Sequence, residues 1–383
     1  MKNFYRQKLQ NLQENGLLRN RKTVFGPQGP HLQADGQTLL AFASNDYLGL
    51  ASHPDLIRAA HEALDRYGLG AGASALISGH SEPVAQLELA LASWLGQERV
   101  LHFSTGYMAN LGAIPALVGE GGAVFSDALN HACLIDGIRL ARPSSLTVYP
   151  HGDLARLEEG LSRCEAAEKW IITDGVFSMD GDIAPLAELV TLAERHDARV
   201  LVDDAHGFGV LGDEGRGTLS HLGLNSPRVV YMATLGKAAG VFGAFIAASA
   251  EVIEWLLQRA RTYIFTTGTP PVLAAACVAS LERIRQDGFR RERLKQLGRQ
   301  LQEGAQGLPW KLLPSETAIH PLIVGDNFTV TRIAQALQQQ GLWVPAIRPP
   351  TVPPGSARLR ISLSAQHEPA HVERLLAALR SAA

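Results

Sequence analysis

The chain has 383 residues, of which 46% are hydrophobic and 19% are charged, the balance of an ordinary globular protein with room for two domains. The 35 basic and 37 acidic residues give a formal net charge of −2, which excludes a strong electrostatic case for nucleic acid or an anionic membrane as partner. The longest apolar stretch, around Val241–Ala250, is too short to span a bilayer.

Met1–Gln10 is polar and mixed in charge, so it lacks the apolar segment of a signal peptide. The three cysteines, Cys133, Cys164 and Cys277, form no CxxC pair, which argues against a disulfide framework and against a structural metal site. We therefore expect reduced thiols, no bound metal and a cytoplasmic location.

The first part of the chain predicts an N-terminal arm over residues 1–45, with a polar helix followed by a Pro/Gly-rich turn region. A helix is predicted over 54–67, because Pro54 suits its first turn, apolar residues recur on one face, and Gly68 suits its end. A second helix is predicted to begin after Ser81.

From about residue 98, short apolar runs alternate with helical stretches. The runs that indicate buried strands are Arg99–Phe103, Ala123–Phe125, Trp170–Thr173, Arg199–Asp203, Val229–Ala233 and Ala244–Ala247. Strands alternating with helices predict an α/β domain, over 46–288, with a mainly parallel sheet covered on both faces. In such sheets ligands bind beyond the carboxyl ends of the strands.

The pattern changes at about residue 289, where a charged helix begins. Segments typical of strands and helices then alternate: strands at His320–Val324, Leu342–Ile347 and Ala357–Leu363, and helices at about 329–340 and 368–381. Residues 289–383 are therefore predicted to form a smaller α+β domain.

Polar side chains follow three of the predicted strands. Asp203 and His206 follow one strand, Lys237 another and Ser178 a third, so all should lie at the same edge of the sheet. Each alone has an ordinary explanation, such as a surface lysine, a turn-capping carboxylate or a buried imidazole. Their joint occurrence at successive strand ends indicates an active site.

This set of residues suits pyridoxal 5′-phosphate (PLP). Lys237 can form an imine with the cofactor, and a carboxylate can hold the pyridinium nitrogen protonated. A phosphate needs backbone N–H groups at a helix start, and Ser104-Thr105-Gly106-Tyr107 opens a predicted helix after a strand. His131, after another strand, could supply an aromatic face over the ring.

One glycine-rich segment fits a different cofactor. Gly68–Ala73 matches the dinucleotide fingerprint G-x-G-x-x-G/A, but that fingerprint must follow a strand and open a helix. Here it follows a predicted helix and leads into a Ser/Gly loop, so we do not expect NAD binding.

Several motifs resemble those of the α-oxoamine synthases, PLP enzymes of fold type I with an aspartate-aminotransferase-like fold. The matching segments are Ser44–Leu50, Ser126–His131, Gly175–Gly181, Asp203–Gly207 and Thr234–Lys237. The resemblance runs from about residue 17 to the C-terminus.

The resemblance implies a role for each matching residue. Lys237 forms the Schiff base and moves the Cα proton, Asp203 pairs with the pyridinium nitrogen, and His131 stacks on the ring. Ser178 and His206 contact the cofactor, and Gly106, Tyr107 and Thr234 hold it, largely through its phosphate. The implied substrate-binding residues are Arg19, Asn45, His131, Thr351 and Arg360. Arg21 competes with Arg19 for its role, and the role of Asp174 stays open.

Within the family, the C-terminal run Ala346–Pro353 and the loop Gly72–Gly79 favour a member that makes a biotin precursor. The implied reaction condenses L-alanine with a pimeloyl thioester, of acyl carrier protein or of CoA, and releases CO2. The alternative, favoured by Asn130-His131-Ala132, is a member that uses glycine and a short acyl-CoA. The family also implies a homodimer in which Thr267 reaches the partner's cofactor phosphate.

Overall fold

The computed structural model describes residues 2–19 and 21–383. The chain separates into two compact units. The first comprises the N-terminal segment through Gly49, the three residues Met179–Gly181, and Glu292–Ala383. The second comprises Leu50–Ser178 and Asp182–Arg291. The N-terminal segment thus belongs to the same unit as the C-terminal one.

The N-terminal segment contributes one helix and three short strands to the first unit. These are α1 (Lys2–Glu14), β1 (Val24–Phe25), β2 (His31–Ala34) and β3 (Gln37–Ala41). β2 and β3 form an antiparallel hairpin whose two central residues, Asp35 and Gly36, have φ of 52° and 73°. Positive φ at both positions is the geometry of an Asp-Gly hairpin turn.

The second unit is built on a seven-stranded sheet. Its strands are β4 (Arg99–Phe103), β5 (Ala123–Asp127), β6 (Ser145–Tyr149), β7 (Lys169–Asp174), β8 (Arg199–Asp203), β9 (Val229–Thr234) and β10 (Ala244–Ala248). The spatial order is β4-β10-β9-β8-β7-β5-β6, and only β10 pairs antiparallel with its neighbours. The prediction of a mainly parallel α/β sheet is confirmed, although the sequence reasoning missed the edge strand β6.

Helices connect these strands and cover both faces of the sheet. They are α2 (Pro54–Tyr67), α3 (Glu82–Leu95), α4 (Gly106–Val118), α5 (Ala132–Ala141), α6 (Leu154–Ser162), α7 (Leu186–Arg195), α8 (Thr218–His221), α9 (Ala250–Arg259), α10 (Arg261–Ile264) and α11 (Pro271–Gln286). Successive strand residues point to opposite faces, so Ile172 packs in a cluster with α4 and α5, and Ile171 in one with α6 and α7. Both faces are buried, which explains the continuous apolar runs.

The C-terminal segment contains α12 (Gly288–Gly304), β11 (Lys311–Leu312), β12 (Ile319–Gly325), α13 (Asn327–Gln339), β13 (Leu342–Trp343), β14 (Ala346–Ile347), β15 (Ala357–Ser362) and α14 (Pro369–Ser381). The first unit holds two four-stranded sheets, β1-β2-β3-β13 and β11-β12-β15-β14. The predicted single strand Leu342–Ile347 is wrong, because it divides between these two sheets. Pro345 stands at the break, where it has no N–H to continue a ladder.

Within the described ranges, no helix combines the length and apolar character that crossing a membrane requires. Nor does that part of the chain bring together three or more His, Cys, Asp or Glu side chains able to hold a metal ion.

Candidate active site

A cavity of about 180 Å³ lies at the carboxyl ends of the parallel strands of the second unit. Asp174 at the end of β7 is in register with Asp203 at the end of β8, so the two carboxylates are neighbours. The cavity is lined by Gly106, Tyr107, His131, Cys133, Asp174, Asp203, Ala205, His206, Met232, Thr234 and Lys237. Seven residues that the sequence predicts for the site therefore converge in one place: Gly106, Tyr107, His131, Asp203, His206, Thr234 and Lys237.

Lys237 lies in the turn after β9, with its Nζ 2.8 Å from Nε2 of the buried His206. Thr234 fixes the start of this turn: its hydroxyl donates to the Gly243 carbonyl (2.9 Å) and accepts from the Gly236 N–H (3.2 Å). The lysine amine is thus presented at the sheet edge beside an imidazole, an arrangement suited to proton transfer.

Asp203 is buried, and donors contact both of its carboxylate oxygens. Oδ1 accepts the Ala205 N–H at 3.0 Å, and Oδ2 accepts Nδ2 of Asn110 at 2.7 Å. These two hydrogen bonds fix the carboxylate beside the cavity, where a carboxylate can pair with a protonated pyridine nitrogen. Asn110 was missed by sequence reasoning; the available signal was a polar residue in the apolar helix α4, one turn after Gly106.

Asp174, whose role the sequence left open, positions His131. Its Oδ2 accepts the backbone N–H of His131 at 2.6 Å. Burial, and then the neighbouring charge of Asp203, raises the pKa of Asp174 well above its usual value. His131 in turn caps α5, with its Nδ1 2.8 Å from Sγ of Cys133.

The start of α4 offers an anion-binding site. Thr105 caps the helix by accepting the Met108 N–H (3.1 Å), whereas the N–H groups of Gly106 and Tyr107 come too early in the helix for an intrahelical acceptor. Gly106 packs close to Met232, since a Cβ there would lie 3.1 Å from the Met232 Cε. The cavity thus combines backbone amides, a lysine and a carboxylate, a set that fits the phosphate, the aldehyde and the ring nitrogen of PLP.

Two predicted cofactor-binding residues do not line this cavity. Ser178 is half-buried in the turn region after β7. Thr267 is exposed and forms an isolated antiparallel bridge with Ser74, next to a hydrogen bond from the Gly268 N–H to the Ala73 carbonyl (2.9 Å).

The first unit holds four of the five predicted substrate-binding residues, and the fifth, His131, belongs to the second unit. Arg360, on β15, is buried, and its Nη1 donates to Oδ1 of Asn45 (3.2 Å) and to the hydroxyl of Ser362 (2.9 Å). Its Nη2 donates to the hydroxyl of Tyr47 (3.2 Å), a residue that sequence reasoning did not single out. Arg360 and Asn45 are therefore neighbours.

The other predicted substrate-binding residues of this unit are exposed. Arg19 and the competing Arg21 both lie in the segment between α1 and β1. Thr351 follows the turn that begins at Arg348, whose carbonyl accepts the Thr351 N–H (3.1 Å).

Asp204 does not line the cavity, and its carboxylate packs against Gly175, Gly207 and Gly217. Its Oδ2 accepts the Thr218 N–H and the Tyr231 hydroxyl, both at 2.7 Å. Complete burial raises its pKa to about 7, although these hydrogen bonds oppose the shift. Of the two adjacent aspartates, Asp203 is therefore the one at the cavity and Asp204 supports the turn behind it.

The chain belongs to the family of class I and II aminotransferases, which it matches over residues 37–379. Within that family it is similar to proteins named 8-amino-7-oxononanoate synthase. The one from Herminiimonas arsenicoxydans is 60% identical over 376 residues, 97% of each chain. The one from Nitrosomonas europaea is 54% identical over 378 residues, 98% of this chain and 97% of that one.

Solved structures show the same fold. Serine palmitoyltransferase from S. paucimobilis, with a bound PLP–myriocin aldimine, has a TM-score of 0.93 at 32% identity, covering 99% of this chain and 96% of that chain. The 8-amino-7-oxononanoate synthase from Francisella tularensis has a TM-score of 0.78 at 28% identity, covering 90% of this chain and 97% of that chain.

Proposed function

We propose that this protein is a PLP-dependent acyltransferase that condenses L-alanine with a pimeloyl thioester to give 8-amino-7-oxononanoate and CO2 in biotin biosynthesis. The observation that carries the proposal is the cavity that joins Lys237, His206 and Asp203, in a chain 60% identical to a protein named for that product. A new carbon–carbon bond joins alanine Cα to the thioester carbonyl carbon, the thiol leaves, and the amino-acid carboxylate departs as CO2.

Residues of the second unit would hold the cofactor. The Gly106 and Tyr107 amides would bind the phosphate, Asp203 would pair with the ring nitrogen, and Lys237 would form the covalent bond to the aldehyde carbon. When bound, PLP delocalises the negative charge that develops at alanine Cα. Thr234, Ser178 and His206 complete the proposed contacts, and the His131 imidazole stacks on the ring.

Lys237 also moves the proton at alanine Cα. Nε2 of the neighbouring His206 lies 2.8 Å from Nζ, within hydrogen-bond reach, so the imidazole can orient the lysine side chain. His131 binds the substrate as well as the ring. Its backbone is fixed by Asp174, so the imidazole needs little reordering when substrate binds.

Arg360 is the proposed ligand of the alanine carboxylate. A planar guanidinium binds a carboxylate through two parallel hydrogen bonds, and the contacts with Asn45 and Ser362 fix its orientation. Asn45, Thr351 and Arg19 are the further proposed contacts of the substrate.

Mass spectrometry of the products tests the reaction directly. Purified protein, loaded with PLP and given alanine and pimeloyl-CoA, should form 8-amino-7-oxononanoate. Glycine with acetyl-CoA tests the alternative suggested by Asn130-His131-Ala132, and a product from that pair alone would overturn the proposed substrates. Pimeloyl-acyl carrier protein, supplied in parallel, identifies the preferred thioester carrier.

The proposed assembly is a homodimer, in the cytoplasm, in which Thr267 contacts the partner's cofactor phosphate. Thr267 is exposed in the single chain and lies beside two large apolar side chains that are also exposed, Phe265 (70%) and Ile77 (80%). Ile77 belongs to the segment that the Ser74–Thr267 bridge joins to this loop. A second copy covering this surface would bury these apolar groups.

A further inference from the structure

His151, in the turn after β6, lies between two carboxylates. Its Nδ1 is 3.0 Å from Oδ1 and 3.1 Å from Oδ2 of Asp127, and its Nε2 is 2.9 Å from Oδ2 of Asp182. The ring also packs edge-to-face against Phe177, with 4.4 Å between the ring centroids. One imidazole therefore joins two segments that are far apart in the sequence.

This geometry requires the charged form of the imidazole. An ionised carboxylate only accepts hydrogen bonds, so both ring nitrogens of His151 must carry a hydrogen. The hydrogen bonds to Asp127 and Asp182 raise the pKa of His151 to about 10, although partial burial opposes the shift. The imidazolium is thus present at neutral pH.

The first segment, at the end of β5, leads to His131. The buried Asp127 accepts the Leu129 N–H at Oδ1 (2.8 Å) and the Gly152 N–H at Oδ2 (3.1 Å). Two residues after Leu129, the His131 N–H donates to Asp174 at the cavity. The orientation of the Asp127 carboxylate therefore sets the turn that presents His131.

The second segment is a hairpin whose connection contains Ser178. The Phe177 N–H donates to the Asp182 carbonyl (3.0 Å), Val176 bridges to Ile183, and the Ala184 N–H donates to the Gly175 carbonyl (3.0 Å). The Asp182 side chain, held by His151, is thus attached to the backbone pair that closes this hairpin.

We propose that His151 is a positioning residue. Its imidazolium fixes two segments relative to each other: the turn after β5, which presents His131, and the hairpin that contains Ser178. The inference rests on the proposed function, because that function assigns His131 and Ser178 to the cofactor. The side chains of His151 and Asp182 are 29% and 39% exposed, and ion pairs open to solvent contribute little to stability. The main effect of the pair is therefore on the geometry of the site.

The experiment compares His151→Phe with a matched control, His196→Phe. Phenylalanine keeps a ring beside Phe177 but removes both donors. His196 is also close to a carboxylate, 3.6 Å from Glu158, but it precedes β8 at the amino ends of the strands, away from the cavity at their carboxyl ends. Both variants are measured for PLP affinity by fluorescence titration and for amide hydrogen exchange without cofactor.

We expect His151→Phe to weaken PLP binding about tenfold, the size of one coupling within a hydrogen-bond network. Amide exchange should rise in peptides covering 175–184 and 127–133, while His196→Phe leaves PLP affinity and these peptides as in the wild type. In a Ser178→Ala background the loss of PLP affinity caused by His151→Phe should shrink, an effect that a general loss of stability does not produce.

Should His151→Phe fail to fold, Asp182→Asn replaces it, because this change keeps the side-chain shape and leaves the Asp127 contact. Asp182→Asn should weaken PLP binding by about threefold and raise amide exchange in the hairpin. If His151→Phe and Asp182→Asn had the same PLP affinity and amide exchange as His196→Phe, the positioning role of His151 would be overturned, but the proposed function would not. A wild-type protein that binds no PLP would instead overturn the proposed function, and the exchange data would then report on the hairpin by themselves.

Discussion

Lys237 is the residue on which the proposed chemistry depends most. Borohydride reduction of the PLP-loaded protein should attach the cofactor to Lys237, and peptide mapping locates the label. Lys237→Ala should fold normally but lose about 10²–10⁴-fold in turnover, because a positioned proton-transfer group is removed. Label recovered on a different lysine would contradict the assignment.

The two adjacent aspartates should respond differently to the same substitution. Asp203→Asn removes the charge proposed to face the ring nitrogen, so the proton affinity of that nitrogen should fall by a factor of about 10–1,000. The absorption spectrum of the bound cofactor and the turnover rate both report the change. Asp204→Asn is the control, since Asp204 bonds Thr218 and Tyr231 instead. Turnover lost in Asp204→Asn and kept in Asp203→Asn would reverse the roles.

Asp204 also predicts a pH dependence of stability. Its pKa is raised from 3.8 to about 7 in the folded protein, so the folded state binds a proton that the unfolded chain releases. The stabilisation is complete below about pH 4 and is lost as the pH rises through 7. Asp204→Asn cannot ionise, so its free energy of unfolding should fall less than that of the wild type between these values. Urea unfolding across this range measures the difference.

For individual residues, the sequence predicted those site residues that directly follow strands, because the carboxyl ends of parallel strands meet at one edge of the sheet. It could not predict the contact between Asn110 and Asp203, which lie 93 residues apart and meet only through the packing of α4 on the sheet. The position of Asp174 was visible, but its bond to the His131 N–H depends on how two loops meet.

At the scale of elements, the turn between β2 and β3 gives a test of backbone strain. Gly36→Ala places a Cβ on a residue at φ 73°, which should destabilise the protein by about 1 kcal/mol. Gly121→Ala is the matched control, because its Cβ would meet nothing within 4 Å and its φ is outside the left-handed region. Equal urea midpoints for the two variants would contradict the strained turn.

The same hairpin shows where prediction of elements failed. Asp35-Gly36 between two short apolar runs is a hairpin signal, but the sequence analysis predicted only an arm with a turn region over residues 1–45. The buried strands β4, β5 and β7–β10 were predicted because their two covered faces leave long apolar runs. β6 was missed because Ser145 and Thr147 alternate with Leu146 and Val148 on this edge strand, which leaves no continuous apolar run.

At the scale of the whole molecule, assembly and activity should be linked. A homodimer that shares its sites predicts complementation between Lys237→Ala and Thr267→Trp, each inactive alone. A mixed dimer contains one site with both native residues, so activity should return to about half of the wild-type value per mixed dimer. Sedimentation measures the dimer, and full activity of a strictly monomeric protein would contradict the arrangement.

Helix α4 carries both the amides proposed for the phosphate and the amide that orients Asp203. Four residues, about 6 Å along the helix axis, separate Gly106 from Asn110, so one helix fixes the distance between the amides proposed for the phosphate and the amide that contacts Asp203. Loop movements cannot alter that distance. Inserting or deleting one residue between these positions would rotate Asn110 by about 100° around the axis and turn it away from Asp203. This stretch should therefore tolerate substitutions in evolution but no change in length.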